Sequence, residues 1–202
     1  MITQGKKKLF LIDSYALIYR AYFAFIKNPR MNSKGFDTSA IYGFLNTLTE
    51  IIREEKPTHI ATVFDLKGPT KRHDLYTEYK ANRDAMPEGI SLAIPYIKAV
   101  IESLNIQQIS LAGYEADDLI GTLSKRAEQE GFTTYMVTPD KDFAQLVTDK
   151  SFIYKPGKRG DGPIIMGKKD VCDKYGLQHI NQFIDFLGMM GDSSDNIPGI
   201  AG

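Results

Sequence analysis

Lys8-Leu-Phe-Leu-Ile-Asp13 is a short apolar run that stops at a carboxylate, and Ile60-Ala-Thr-Val-Phe-Asp65 repeats the pattern. Runs this short, without polar alternation, read as strands covered on both faces. Outward from them, apolar strands alternate with amphipathic helices. Residues 14–25 read as a helix, and Ile41, Phe44, Leu45, Leu48, Ile51 and Ile52 recur at helical spacing until Pro57 ends the run. Further helices are expected at 90–104, 115–129 and 139–147, with strands at 107–111, 132–137 and 152–155. Residues 66–88 are polar and basic without a clean period, too long for a plain connection. Residues 168–202 look helical, with breaks at Gly176 and Gly191. Strand-helix alternation predicts an α/β fold around a mostly parallel sheet.

Composition narrows the function classes. The 202 residues carry 25 basic and 25 acidic side chains and are 43% hydrophobic, an ordinary globular balance that excludes disordered or low-complexity classes. Behind Lys6-Lys7-Lys8 the apolar stretch is only Leu9 to Ile12, too short for a signal peptide, and no stretch approaches the roughly 18 residues of a membrane span. The lone Cys172 excludes an intramolecular disulfide and a thiolate zinc cage, so a cytoplasmic monomer is expected. Net charge zero, taken alone, argues against nucleic acid.

The carboxylates change that inference. In a parallel sheet the carboxyl ends of the strands share one edge. Asp13 and Asp65 end two strands, Glu115, Asp117 and Asp118 follow a third, Asp140 and Asp142 follow a fourth, and Asp192 and Asp195 lie in a glycine-flanked turn that could join them. Each like-charged pair at roughly 4 Å costs on the order of 4 kcal/mol at an effective dielectric near 20. Helix capping explains any one of these acids, and Thr138-Pro139-Asp140 is a good helix start. Capping does not require the whole set. All-oxygen donors, with His59, His73 and His179 scattered elsewhere, suit two Mg²⁺ ions, with Mn²⁺ as a substitute. Paired ions of this kind serve phosphodiester hydrolysis, which needs no Ser-His-Asp constellation.

Lys67, Lys71, Arg72, His73, Lys80 and Arg83 interleave with Tyr76 and Tyr79. As a helix, the segment would place Arg72, Tyr76, Tyr79, Lys80 and Arg83 on one face, cations for phosphates and rings for bases; a solvated face is the alternative. Lys155, Lys158, Arg159, Lys168 and Lys169 form a second basic group. Tyr15, Tyr19, Tyr22, Phe23 and Phe25 make the first helix aromatic, mostly core by expectation, with Arg20 a candidate phosphate clamp. Gly162 to Lys169 imitates a P-loop spacing, but Lys169 stands where the metal-binding hydroxyl belongs.

Phe10 to Asp13 with Tyr19-Arg-Ala-Tyr22, Val63-Phe-Asp65, Arg72-His73 with Tyr79 to Arg83, Gly113 to Asp118, Thr138 to Asp142 and Gly191 to Gly199 resemble, in order, the motifs of the structure-specific 5′ nucleases, or flap endonucleases. Within that family they resemble the amino-terminal 5′-to-3′ exonuclease domain of bacterial DNA polymerase I. The resemblance implies a PIN-like fold and a single 5′ nuclease domain over residues 1–202. Its core would span about 8–165, its helical arch about 66–88, and its helical carboxyl-terminal part about 168–202, cut within a helix-hairpin-helix. It implies hydrolysis of DNA at 5′ flaps or 5′ ends, and of RNA primers in duplex, in replication and repair, with a polymerase domain in the same native chain a candidate partner. Asp13, Asp65, Glu115, Asp117 and Asp118 would surround one ion, and Asp140, Asp142, Asp192 and Asp195 the other. Lys80, Arg83 and Arg20 would act at the scissile phosphate, and Arg72, Tyr76, Tyr79, Lys80 and Arg83 would contact DNA. The alternatives are a PIN-type ribonuclease and a non-catalytic DNA-binding module with structural carboxylates. Setting the nine acids aside leaves sixteen against 25 basic side chains, so net charge zero can hide a basic surface around an acidic pocket.

Overall fold

The computed structural model describes residues 7–157 and 161–200. Its centre is β1 (Lys8–Asp13), which leads into α1 (Ser14–Ala24). There follow α2 (Ser39–Glu50), which widens into a π-helical turn over Ile51–Glu55, β2 (His59–Val63), α3 (Lys71–Leu75), α4 (Glu88–Ser103), β3 (Gln107–Ile109), α5 (Ala116–Gln129) and β4 (Thr133–Val137). A 3₁₀ turn (Asp142–Leu146), β5 (Ser151–Lys155), β6 (Ile164–Met166), α6 (Lys168–Tyr175) and α7 (Gln182–Met190) complete the order.

The strands form one sheet in the order β3-β2-β1-β4-β5-β6, parallel except for β6. Leu11 pairs with Ala61 on one side and Met136 on the other. Strand β1 is apolar from Leu9 to Ile12 because each face meets a different core. Phe10 and Ile12 join α1, α2 and α4, whereas Leu11 joins α5, α6, α7 and the 3₁₀ turn. Phe10 is fully buried, stacked on Tyr135 at 4.7 Å and edge-on to Tyr154 at 5.5 Å. The chain winds outward from β1 through β2 to β3 and then returns to place β4 on the other side of β1. The crevice between the carboxyl ends of β1 and β4 is therefore a topological switch point, where open α/β sheets bind ligands.

Several local expectations give way to tertiary contacts. Strand β2 ends at Val63, which frees the Asp65 side chain to accept from the Ala116 amide at 2.8 Å and cap α5. Thr138 does not start a helix over 139–147; its hydroxyl donates to Asp13 and accepts from the Asp140 amide, leaving only the 3₁₀ turn. The edge strand β6 lies in the stretch with P-loop spacing. In α1 the core side is Leu17, Ile18 and Ala21, and none of its aromatic rings is fully buried; Phe23 is 51% exposed. Ala21 meets α2 closely, a Cβ on Gly43 falling 2.6 Å from its own, while Tyr15, Tyr19 and Tyr22 pack only partly buried at the edge of the core.

The basic segment is not one helix. Regular helix ends at Leu75, Tyr76 is extended, and Lys80 takes a left-handed φ of 59°. A shared helical face for Arg72, Tyr76, Tyr79, Lys80 and Arg83 is thereby excluded. A left-handed residue other than glycine costs roughly 1–2 kcal/mol. Here it is offset by the Lys80 amide donating to the Asp195 carbonyl at 3.0 Å and by burial of the Tyr79 ring.

Candidate active site

Asp13 sits at the switch point, 8% exposed. One oxygen caps α1 through the Ala16 amide at 3.3 Å, and the other accepts from the Thr138 hydroxyl at 2.8 Å. Capping and clustering thus use the same residue. Burial pushes its carboxyl up to about 7; the Thr138 and Ala16 hydrogen bonds oppose this, and the charges of Asp65 and Asp140 add to it.

The start of α5 supplies a second group. Glu115 is the N-cap, and its amide donates back to Asp118 at 3.0 Å, so the helix's positive end faces its own carboxylates. Burial raises Asp117 to about 6, opposed by Arg72 and reinforced by Asp118 and Glu115. Asp118, although partly desolvated, is held below the ordinary range by its hydrogen bonds from Arg72 and the Glu115 amide.

A third group joins the 3₁₀ turn to the turn after α7. Burial and the Asp140 charge push Asp142 up to about 6, with Asp192 and Asp195 also facing it. Its Oδ1 is buried without a hydrogen-bond partner among the described residues. Asp192 is held below the usual range against its burial by the amides of Asp195 and Ser194 and by Lys141 at 3.5 Å.

The basic segment folds down onto these carboxylates. Arg72 donates to both oxygens of Asp118 at 2.8 and 2.9 Å and to Asp117 at 3.3 Å, with Glu115 at 3.7 Å. Lys80 Nζ lies 2.6 Å from Glu115 and 3.9 Å from Asp195, and Arg83 lies 2.6 Å from Asp195. The Tyr79 hydroxyl stands between Glu115 at 3.1 Å and Asp195 at 2.9 Å and can donate to one at a time. Arg72, Tyr79, Lys80 and Arg83 do converge on the acids, through a turn and a buried ring instead of a helix face.

With cations among them, the acids are held apart: among the described residues no three acidic, histidine or cysteine side chains already close on a common metal position. The donor chemistry nevertheless fits hard divalent cations. The acids offer only carboxylate oxygens as donors, burial makes Asp13, Asp117 and Asp142 bind protons more tightly than usual, and Asp142 has a buried oxygen without a hydrogen-bond partner among the described residues.

A family profile described as the 5′-3′ exonuclease, N-terminal resolvase-like domain matches residues 8–176. The chain belongs to this family. It is 42% identical over 198 residues to DNA polymerase I of Bacillus subtilis, covering 98% of this chain and 22% of that protein. It is 37% identical over 196 residues to the 5′-3′ exonuclease of Aquifex aeolicus, covering 97% of this chain and 65% of that one. The chain thus spans less than two thirds of these relatives. Its fold matches the flap endonuclease of bacteriophage T5, solved as a pseudo-enzyme-product complex with DNA and metal ions, with a TM-score of 0.74 at 21% identity over 96% of this chain and 70% of that one.

Within this exonuclease-family domain, two expected residues lie apart from the carboxylates. Arg20 donates to the carbonyls of Pro156 and Gly157, both at 2.8 Å, and Tyr76 donates to the Asn196 carbonyl at 3.2 Å. In the second basic group, Lys155 donates to the Pro139 carbonyl and Lys168 pairs with Asp149, while Lys158 and Arg159 lie outside the described residues. Thr138, Thr70 and Lys141 were missed by residue type. Thr70 donates to Glu115 at 3.3 Å, and its amide is capped by His73. Only the threonine directly after an apolar strand carries any sequence signal, because it sits on the same edge as the acids.

Arg72 links the acids of α5, so its loss has two opposite effects. Arg72→Gln is expected to lower the stability of the metal-free protein by on the order of 1–2 kcal/mol. It should also enlarge the stabilisation given by added Mn²⁺, since Asp117 and Asp118 no longer have a competing cation. Thermal melts with and without Mn²⁺ check this; an unchanged Mn²⁺ increment would show that Arg72 does not occupy the carboxylates in solution.

Proposed function

We propose that this chain is a divalent-cation-dependent 5′ nuclease domain that hydrolyses phosphodiester bonds at 5′ flaps and 5′ ends of DNA, RNA-primed ends included, in replication and repair. The observation that carries the reading is the pairing of one acidic crevice at the switch point with Arg72, Lys80 and Arg83 from a single segment. A polyanionic backbone approaches an acidic cluster only if cations mediate, and this site brings cations of both kinds. Asp13, Asp65, Glu115, Asp117 and Asp118 would hold one ion, and Asp140, Asp142, Asp192 and Asp195 another. Bound Mg²⁺ or Mn²⁺ would supply Lewis acidity for the attacking water and the departing oxygen.

The chain's own residues do the remaining work. Lys80 and Arg83 exchange their carboxylate partners for the phosphate, orienting it and neutralising charge as it develops. Thr138 holds the Asp13 carboxylate in place by donating to one oxygen, while the Ala16 amide fixes the other. Tyr79 supplies a hydroxyl that follows whichever of Glu115 and Asp195 carries more charge. The DNA polymerase I relatives support a polymerase on the same native chain, and the reading takes the protein as a cytoplasmic monomer; among the described residues no helix is long and apolar enough to cross a membrane.

Incubation of the protein with labelled 5′-flap duplex, single-stranded DNA and single-stranded RNA in Mg²⁺, with EDTA controls, tests the proposal. Chelator-sensitive release of short 5′ products from the flap substrate is expected. Preference for RNA, or cleavage indifferent to EDTA, would overturn it.

A further inference from the structure

Segment 66–85 has little apolar anchorage. Thr70 and Tyr79 are its only buried residues, and Leu75 is 88% exposed. Polar contacts fix it in two places: the start of α5, reached by Arg72, Tyr79 and Lys80, and the turn after α7, which takes most of the bonds of residues 76–83. The Asn82 side chain donates to the Ser193 carbonyl at 3.0 Å, and Asn196 Nδ2 donates to the Glu78 carbonyl at 2.8 Å. The Tyr76 hydroxyl donates to the Asn196 carbonyl, Arg83 Nε to the Ser194 carbonyl at 3.2 Å, and the Lys80 amide to the Asp195 carbonyl.

The turn that receives these bonds is itself rigid. Asp192 and Ile197 exchange two backbone hydrogen bonds, both 2.8 Å, and Asp192 Oδ1 accepts from the Ser194 and Asp195 amides at 2.8 and 3.2 Å. Asn196 stands at φ 59°, a conformation tolerated best by asparagine and glycine, so its amide is aimed by the backbone before the segment docks.

We propose that Asn82 and Asn196 are positioning residues that bind the 76–83 segment and the 192–197 turn into one body, so that the turn sets where Lys80 and Arg83 stand relative to Asp195. The bonds run in both directions across the seam, Asn82 donating to the turn and Asn196 donating back. Sliding the segment past the turn breaks both at once. The acids of β1 and α5 belong to the sheet; Asp192 and Asp195 belong to this second body. The crevice lies where the two meet, and Lys80 and Tyr79 reach across it to Glu115 of α5.

The catalytic half of this inference rests on the nuclease reading; the mechanical half does not, and one experiment separates them. Asn196→Gly keeps the left-handed backbone and removes only the side-chain bond, and Asn82→Ala alters an exposed side chain that the fold does not need. Amide hydrogen exchange should rise about three- to tenfold in residues 76–83 and 192–197 together in either variant, with sheet amides unchanged. With flap DNA and Mg²⁺, kcat should fall by a similar factor while KM stays within about twofold. Exchange that rises in one segment alone, or in neither, overturns the single-body proposal. Coupled exchange with an unchanged kcat overturns the positioning role. If the parent protein cleaves nothing, the nuclease reading fails while the exchange data still decide whether the two segments are one body.

Discussion

In EDTA at pH 8, Asp13→Asn should be more stable than the parent protein by about 2–4 kcal/mol, and at pH 4 the two should be nearly equal. The sign follows from burial. Asp13 binds its proton more tightly folded, near 7, than at its ordinary value of 3.8. Below 3.8 it is protonated in both states. As pH rises from there to about 7 the folded protein holds the extra proton, and stability is lost at about 1.4 kcal/mol per pH unit. Asparagine removes the charge, still caps α1, and can still meet Thr138, whose hydroxyl turns to suit either atom. In Mg²⁺ the ranking for function reverses: cleavage by the variant should fall by about two orders of magnitude or more, because a ligand oxygen is gone. Urea melts in EDTA at the two pH values read the stability, and a flap-cleavage assay in Mg²⁺ reads the loss of function. A variant less stable than its parent at pH 8 would show that the Asp13 charge is compensated within the protein.

Gly191→Ala should be the most disruptive small substitution in the carboxyl-terminal part. Gly191 has φ 66° and ψ −176°, a region open to glycine alone, and an added Cβ would lie 2.3 Å from the Gly199 nitrogen and 2.6 Å from the Ile197 carbonyl oxygen. Both are backbone atoms that cannot step aside. A loss of about 2–4 kcal/mol is expected for the turn, with faster exchange over residues 191–199 and reduced cleavage. Gly188→Ala, three residues earlier in α7, meets nothing within 4 Å of the added Cβ and should be neutral or stabilising by up to about 1 kcal/mol. Equal melting temperatures for the two variants would refute the steric argument.

The parts of the fold legible in the sequence are those whose cause is local or periodic. Phe10 to Ile12 face two cores, so the strand is apolar without alternation, and its terminal Asp13 marks the ligand edge. The acids at 115–118 and 140–142 were readable for the same reason: they follow strands. The arch was not readable, because Lys80 takes its left-handed turn in response to the Asp195 carbonyl, 115 residues away in sequence. The Thr138 hydroxyl likewise serves Asp13 instead of a helix, across 125 residues. Propensity describes what a segment prefers alone, and both sites are settled by a distant partner. The edge strand β6 escaped because three residues carry no periodicity.

The distance between Asp13 and Asp195 along the chain gives the crevice a history as well as a shape. The first carboxylate leaves the ribosome on the opening strand, and the last arrives 182 residues later. At synthesis rates of roughly 5–20 residues per second, about 10–40 seconds separate them. For all of that time β1 exists without the turn that carries Asp192 and Asp195, and the basic segment, once made, waits for its bonds to that turn. A nascent chain therefore exposes lysines and arginines that can meet nucleic acid well before it can assemble the full set of acids. The acidic crevice is completed only once residue 195 has been made, by nothing more than the order in which its parts are made.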